Sequence, residues 1–462
     1  RLRAVAGPAG LSRDTPVETH GMDHRTEARF SVAAGESVPF ELATFPSHLP
    51  PAPAPDVHAA LDYTQRWWQA WSGRDTYVGE WSDVVHDSLV VLKGLTYGPT
   101  GGIAAAATTS LPEALGGVRN WDYRYCWLRD ATFTLMTLLS AGYLEEASAW
   151  RQWLMRAVAG EPDKLQIMYG VAGERRLTEY EVPWLAGHEG SRPVRVGNAA
   201  SDQFQLDVFG EVLDASHQAR LAGLDEGHES WELQKVLMDF LEGCWDEPVE
   251  GIWEVRGGRQ HFTHSKVMAW VAADRAALAV ERFGLDGPVE RWRRLAEAIR
   301  ADVLAHGVRA DGAFRQAYGN DALDASLLLV PLVGFLPPDD ARVRATVEAI
   351  ERELTEDGFV LRYRTEHTAD GLPGDEGAFL LCTFWLADCL HLLGRTTDAR
   401  ALYEKLVALR NDVGLLSEEC DPSSGRLLGN LPQAFSHVAL VNTAMYLGDE
   451  GSHAATRRAR RH

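Results

Sequence analysis

A succession of helix-length apolar segments, from about residue 56 onward, constrains the fold of this chain more than any other feature. Apolar residues recur there with helical periodicity, and clusters of Gly, Pro and Asp separate the segments. Strand-like alternation is sparse over the same stretch. The predicted helices are 83 to 96, 130 to 142, 144 to 158, 202 to 223, 231 to 242, 263 to 283, 288 to 305, 323 to 335, 339 to 354, 376 to 393, 396 to 410 and 433 to 447. Long loops between alternate pairs predict an α/α toroid of inner and outer helices, although an irregular helical bundle would give a similar count.

The first 55 residues differ in character from this helical remainder. Residues 28 to 45 alternate apolar and polar side chains around a turn-like stretch at 34 to 37, which predicts a β-hairpin. Because two strands alone do not make a stable sheet, the hairpin either packs on the rest of the protein or belongs to a larger β domain whose first part is absent. Residues 46 to 55 are rich in proline, which favours a semi-rigid spacer and indicates a domain boundary.

The charge balance excludes one large class of partners. The formal net charge of -21 at pH 7 repels a phosphate backbone, so we expect no nucleic acid partner. The one basic run, Arg457 to Arg461, lies in a C-terminal tail at 451 to 462 to which we assign no function.

The cysteines and the hydropathy of the chain indicate in which cellular compartment the protein is located. The five cysteines are scattered among mostly apolar neighbours, which suits reduced core thiols better than a disulfide framework. No run of 18 apolar residues could span a bilayer, and the N-terminus lacks a signal-peptide pattern. We therefore expect a cytoplasmic protein with no membrane contact. Whether it forms a homo-oligomer, and what precedes Arg1, stay open.

A dense aromatic and charged cluster directly precedes one of the predicted helices. Residues 120 to 130 read NWDYRYCWLRD. Asp130 alone could cap the helix, since Asp accepts the free N–H groups of a first turn. Capping does not explain the neighbouring aromatics, arginine and second aspartate. That mixture is typical of sugar sites, in which rings stack on pyranose faces and charged groups bind hydroxyls.

Two glutamates in separate loops could supply acid–base chemistry. Glu254 follows Trp253 in a Gly-rich loop, and Glu418 lies in the acidic stretch 417 to 421. A lone loop glutamate is usually a solvated carboxylate. A pair, however, offers what glycosidic cleavage needs, namely a protonated carboxyl for the leaving oxygen and an ionised carboxylate to activate water. This chemistry requires no cofactor, and we find no His, Cys and carboxylate grouping with the spacing of metal ligands.

Taken in order, these motifs resemble glycoside hydrolase family 15, which contains glucoamylases, bacterial and archaeal trehalases and related α-glucosidases. The resemblance covers about residues 25 to 448. It implies a mainly α fold, in which an (α/α)6 toroid follows a β-hairpin remnant of an N-terminal β-sandwich. The implied domains are the C-terminal part of that sandwich at 1 to 45, a Pro-rich linker and linker helix at 46 to 80, and the catalytic domain at 81 to 450.

The resemblance also implies residue roles. Glu254 matches the family's general acid and Glu418 its general base, although the adjacent Glu419 has the same chemistry. A Tyr-x-x-x-Trp-x-Arg-Asp stretch that recognises glucose in the family corresponds to residues 123 to 130. The expected substrate-binding residues are Tyr123, Trp127, Arg129, Asp130, Arg195, Asn198, Trp253, Arg362, Glu376 and Glu419.

Residues 165 to 179, 190 to 200 and 430 to 440 resemble the actinobacterial trehalase branch of the family. That likeness implies an inverting, exo-acting hydrolase that releases β-D-glucose from trehalose, a small-molecule glucoside. A glucoamylase-like enzyme, a maltose- or isomaltose-type α-glucosidase, a phosphorylase and a non-catalytic sugar-binding protein stay open as alternatives. Glu376 is a rival for the acid, but the family has a substrate-facing loop there, so we assign it to binding or capping. His437 is expected to be structural.

Overall fold

Two compact units make up the chain, one from Arg1 to Arg74 and one from Asp75 to His462. The structure is a computed structural model that describes residues 1–158, 162–224, 227–368 and 370–448. The predicted basic tail at 451 to 462 lies outside the described residues. Within them, no helix is both long enough and apolar enough to cross a membrane.

The first unit contains a small antiparallel sheet and one helix. Strand β2 is the middle strand of a three-stranded sheet with β1 and β5, while β3 pairs with β4. Asp56 caps the helix, because its carboxylate accepts hydrogen bonds from the backbone N–H groups of His58 and Ala59. The elements are β1 (Leu2–Ala6), β2 (Ala9–Asp14), β3 (His20–Met22), β4 (Arg25–Glu27), β5 (Glu41–Pro46) and α1 (Val57–Ser72).

N-terminal strands are present, but the predicted hairpin at 28 to 45 is wrong in its pairing. A turn does form, with the Glu36 N–H donating to the Ala33 carbonyl, yet only β5 is a strand in that stretch and its partner is β2. The pairing puts the buried Phe45 ring opposite Gly10, where an added Cβ would lie 2.4 Å from the ring. Alternation indicates an extended segment with one apolar face, but it does not identify the partner strand.

The second unit contains the remaining described helices. They are α2 (Ser82–Gly94), α3 (Leu128–Ser140), α4 (Leu144–Ala157), α5 (Asp207–Leu221), α6 (Gly227–Glu242), α7 (Thr263–Phe283), α8 (Val289–His306), α9 (Leu329–Leu332), α10 (Ala341–Glu353), α11 (Leu380–Leu392), α12 (Thr396–Val407) and α13 (Ala434–Gly448). Packing closes a ring in the order α3, α5, α7, α9, α11, α13 and back to α3, with the other helices packed outside it. The predicted (α/α)6 toroid is confirmed.

One inner element is much shorter than the sequence predicts. The predicted helix at 323 to 335 is a 3-10 turn over Ala325–Leu328 followed by the single turn α9. Pro331 lacks the N–H that a longer helix would need, and Gly334 has a positive φ of 75° that ends the turn.

Short strand pairs tie together the loops that lead into the inner helices. These are β6 (Cys126–Trp127) with β7 (Met168–Tyr169), β8 (Tyr180–Glu181) with β9 (Arg195–Val196), β10 (Thr355–Glu356) with β11 (Phe359–Val360), and β13 (Glu419–Cys420) between β12 (Ala378–Phe379) and β14 (Leu427–Leu428). Strand β6 runs directly into α3, and β12 into α11. The loops are therefore held rigidly where the site residues lie.

Candidate active site

A pocket opens among these loops and encloses about 440 Å³, including its open mouth. Its wall mixes indole and phenol rings with guanidinium groups and one carboxylate, as a sugar site requires. The lining residues are Arg119, Trp121, Tyr123, Trp127, Asn198, Ala200, Trp253, Glu254, Arg256, Arg362, Tyr363 and Leu372.

Glu254 is the carboxylate in this wall. Arg129, in the first turn of α3, donates from Nη1 to its Oε1 at 2.8 Å and also donates to the Ile252 carbonyl. Glu254 has a φ of 52°, in the left-handed region that costs a residue with a Cβ about 1–2 kcal/mol. Such strain persists where the surrounding structure holds it, and here it directs the carboxylate into the pocket.

Three contacts fix the loop around Glu254. The Trp253 indole donates from Nε1 to Oδ1 of Asp324 at 2.9 Å. Gln203 donates from Nε2 to the carbonyls of Glu254 and Val255, at 3.1 and 3.2 Å. These contacts join the loop to the segment before α5 and to the 3-10 turn before α9, and Arg129 joins it to α3, so its carboxylate has a defined position.

Buried acids surround Arg129 on the side away from the pocket. The Asp130 carboxylate lies 3.4 Å from the Arg129 guanidinium, and Asp207 accepts a hydrogen bond from Ser265. Burial raises the pKa of Asp130 to about 7 and that of Asp207 to about 6, while Arg129 opposes both shifts. Burial also raises the pKa of Glu211 well above its usual range. Arg129 and Asp130, which were predicted to bind substrate, lie behind the pocket lining.

Glu418 is buried and is not one of the lining residues, but it hydrogen-bonds Tyr123, which is one. Burial, with the Glu113 carboxylate, raises its pKa well above the usual range, whereas Arg362 and a hydrogen bond from Tyr123 lower it. The neighbouring Glu419 is occupied differently. Its Oε2 accepts from the Gly377 N–H at 2.8 Å, and its Oε1 lies 3.7 Å from Arg362 Nη2.

Helix α13 holds the loop that carries Glu418. The Leu416 N–H donates to Nε2 of His437 at 3.1 Å, and the Ser436 hydroxyl donates to the Ser417 carbonyl at 2.6 Å. Burial lowers the pKa of His437 to about 3, so the imidazole is neutral and can accept this bond. These contacts give His437 a structural role.

Tyr123 links the two glutamates. It lines the pocket together with Glu254, and it hydrogen-bonds the Glu418 carboxylate. Burial, with the charge on Glu418, raises the pKa of Tyr123 well above 10. Its ring meets Trp127 edge to face, with centroids 5.3 Å apart. Two loops that are distant in the sequence therefore bring their carboxyl groups to one residue of the pocket wall.

The guanidinium group of Arg362, which lines the pocket, is held from behind by Glu376. Arg362 donates to both oxygens of Glu376, at 2.8 and 2.6 Å, and Arg119 donates to the same carboxylate at 2.9 Å. Glu376 does not line the pocket. It does not cap α11 either, since that helix begins at Leu380 with Phe379 as its N-cap.

Arg195 does not line the pocket but contacts Trp121, which does. Its guanidinium lies 4.5 Å from the Trp121 ring centroid, and Arg256 lies 4.4 Å from the same centroid. Glu179 pairs with Arg256 at 2.7 Å and with Arg195 at 3.7 Å. Asn198 lines the pocket directly and caps the short turn that follows it.

Several wall residues were absent from the expected set. Arg119 and Arg256 flank the two predicted motifs, and proximity to those motifs is the signal that could have found them. Leu372 carries no such signal. Among the described residues, Glu113, Glu376 and Glu419 place carboxylate oxygens within 4.8 Å of one another, close enough to share a metal ion. The Arg362 guanidinium already contacts all three, however.

Comparison with known proteins agrees with this geometry. Residues 80–445 match the glycosyl hydrolases family 15. The trehalase of Mycobacterium tuberculosis is 45% identical over 92% of this chain and 63% of its own length, and that of Thermoplasma acidophilum is 39% identical over 83% and 66%. The chain thus spans less than two thirds of these relatives. A bacterial glucoamylase solved with acarbose shares the fold, with a TM-score of 0.72 and 13% identity over 96% of this chain and 72% of that one.

Proposed function

The chain belongs to glycosyl hydrolase family 15, and from that premise we propose that it is an inverting, exo-acting α-glucoside hydrolase that releases β-D-glucose from trehalose. The observation that carries the proposal is that Tyr123 lines a pocket of aromatic and guanidinium groups beside Glu254 and hydrogen-bonds Glu418. An inverting glycosidase needs two such carboxyl groups, with room for a water molecule between one of them and the sugar.

In this mechanism Glu254 is the general acid. Arg129 holds its Oε1, which leaves Oε2 to carry the proton that passes to the glycosidic oxygen as the bond breaks. The left-handed backbone at Glu254 and the Trp253–Asp324 hydrogen bond fix this orientation before substrate arrives.

Glu418 is the general base, which accepts a proton from the water that attacks the anomeric carbon on the opposite face of the sugar. The Tyr123 hydroxyl and Arg362 favour its ionised form and so oppose the rise in pKa that burial causes. Glu419 is less suited to this role, because the Gly377 N–H and Arg362 already hold it.

The other wall residues recognise the sugar. Tyr123, Trp127 and Trp253 offer ring surfaces to a pyranose, while Asn198 and Arg362 offer donors to its hydroxyl groups. Arg195, Glu376 and Glu419 do not line the pocket and act by holding residues that do. Arg129 holds Glu254, and Asp130 pairs with Arg129 behind it.

Similarity to the trehalases of Mycobacterium tuberculosis and Thermoplasma acidophilum supports trehalose as the substrate. It consists of two glucose units joined through their anomeric carbons, so a pocket that encloses one ring and opens at its mouth accommodates it. We also propose a cytoplasmic location, since all five cysteines are free thiols and four of them are buried.

Initial rates of glucose release from trehalose, maltose, isomaltose and soluble starch test the proposal. We expect the highest kcat/KM for trehalose, and a loss of at least about 10²-fold in kcat for Glu254→Gln. Glu247→Gln, an exposed position seven residues earlier, is the matched control. Faster release from starch or maltose would indicate a glucoamylase-like enzyme, and glucose 1-phosphate formed only with added phosphate would indicate a phosphorylase. Sugar binding without turnover, unchanged in Glu254→Gln, would indicate a binding protein.

A further inference from the structure

We propose that Glu113 is a positioning residue that sets the pH range in which Glu418 acts as a base, by sharing one proton with Glu418 and Glu419 beside the Arg362 guanidinium. The proposal rests on the function proposed above. Glu113 touches neither the pocket nor the reacting atoms, and no sequence pattern singled it out.

Glu113 joins the pocket wall to the loop before α11. Its backbone carbonyl accepts a hydrogen bond from the Gly377 N–H at 3.1 Å. A Cβ added at Gly377 would lie 3.0 Å from Oε2 of Glu419, so the two segments pack closely. Its side chain, 1% exposed, accepts a hydrogen bond from Trp121 and lies 3.2 Å from Arg362 Nη2 through Oε2. Its Oε1 has no hydrogen-bond partner among the described residues.

The carboxyl groups around it outnumber the cations. Carboxylate oxygens of Glu113, Glu376 and Glu419 lie within 4.8 Å of one another, and Glu418, which precedes Glu419 in the chain, is itself buried. Arg362 and Arg119 are the guanidinium groups that pair with this set. Arg119 is also engaged by Asp370 at 2.8 Å. The charged or titratable groups that face Glu113 are Arg119, Tyr123, Arg195, Arg362, Glu376, Glu418 and Glu419. Buried like charges at this spacing do not all ionise, so at least one proton stays in the cluster.

The contacts indicate which groups share that proton. Glu376 accepts three guanidinium hydrogen bonds, which occupy both of its carboxylate oxygens. Glu113, Glu418 and Glu419 each keep one carboxylate oxygen that is buried and without a hydrogen-bond partner in the described structure, as a protonated oxygen can be. Burial raises the pKa of Glu113 to about 7, and after burial the Glu113 charge is the largest factor that raises the pKa of Glu418.

The charge on Glu113 opposes ionisation of the catalytic base Glu418. While Glu113 is ionised, it repels negative charge on Glu418 and favours the protonated, inactive base. When Glu113 takes the proton, Glu418 ionises more readily. Glu113→Gln keeps an acceptor for Trp121 but removes the charge, so Glu418 should remain a base at a lower pH than in the wild type.

The test is the pH profile of kcat/KM for trehalose in wild type, Glu113→Gln and Glu113→Asp. For Glu113→Gln we expect the acid limb to move down by about one pH unit, with the plateau within about threefold of wild type. Glu113→Asp, which keeps the charge, should leave the limb within a few tenths of a unit. An unmoved limb in Glu113→Gln, with a lower plateau, would mean that Glu113 only supports the structure and would overturn the proposal.

If the Glu113 variants do not fold, the proton sharing can still be tested in the wild type by a measurement that needs no substrate. Infrared titration of wild type with ¹³C-labelled glutamate separates the glutamyl carboxyl bands from those of Asp130 and Asp207, whose pKa values are also raised. It should show a protonated glutamyl band that fades with a midpoint near pH 7, and loss of every such band below pH 5 would refute proton sharing. Absence of glucose release in wild type would reject the proposed function, whereas the infrared result would still decide the state of the cluster.

Discussion

Arg129 Nη1 lies 2.8 Å from Oε1 of Glu254, and the same guanidinium lies 3.4 Å from Asp130. Helix α3 therefore holds the proposed acid through one cation that also balances buried acids behind it. The pairing explains why a strained loop residue has a fixed carboxylate orientation.

Arg129→Lys should lower kcat by about 10²-fold or more, because a single ammonium group cannot reach both the Ile252 carbonyl and Glu254 with the geometry of a guanidinium. Steady-state kinetics with trehalose measure the change. Arg124→Lys is the control, since Arg124 is about half-exposed and pairs with Asp122. Equal effects of the two substitutions would contradict the role of Arg129.

Trp253→Phe removes the donor to Asp324 and leaves a buried carboxylate oxygen with fewer partners. We expect a loss of about 1–3 kcal/mol in the free energy of unfolding and a kcat about tenfold lower, because the acid loop loses one attachment. Denaturant unfolding and kinetics measure both. Trp184→Phe, at an exposed tryptophan, should change neither. An unaltered kcat in Trp253→Phe would show that the loop is held without this bond.

Comparison of kcat between Glu418→Gln and Glu419→Gln shows which of the two glutamates is the general base. We expect a loss of at least about 10²-fold in kcat for Glu418→Gln, since no carboxylate remains to activate water. Glu419→Gln should cost about tenfold, because its amide oxygen can still accept from the Gly377 N–H. The reverse order of the two losses would assign the base to Glu419.

The raised pKa of the buried Asp207 carboxyl group should make the free energy of unfolding depend on pH. Its folded pKa is about 6, raised by burial from the ordinary 3.8, so its contribution to stability is complete below about pH 4 and is lost as the pH rises through 6. Between about pH 4.5 and pH 7.5 this loss is about 2 kcal/mol. In Asp207→Asn the free energy of unfolding should fall by that much less over the same range. Asp202→Asn, at an exposed position, should behave as wild type, and an identical pH dependence in Asp207→Asn would refute the assignment.

Helical periodicity predicted the toroid because each inner helix must bury nearly every face and each outer helix one face. The same pattern misjudged residues 323 to 335, where Pro331 restricts the helix to one turn. It also misjudged residues 28 to 45, because alternation does not name the partner strand.

The motif residues Glu254 and Tyr123 could be placed in the site from the sequence, since the family order fixes their register. Glu113 could not, because its role arises from contacts with Arg362 and Trp121, which only the folded chain brings beside it. Arg195 was expected to bind substrate, yet it stacks on Trp121 instead of lining the pocket, a distinction of side-chain direction that sequence spacing does not carry.

The anomeric forms of the two glucose molecules released from trehalose test the inverting mechanism most directly. Proton NMR at early times, before mutarotation, follows both products. If Glu254 is the acid and Glu418 activates water, one glucose leaves as the α anomer and the other forms as β, so the two should appear in equal amounts. Release of the α anomer alone would contradict the inverting mechanism, and no release of glucose would contradict trehalose as the substrate.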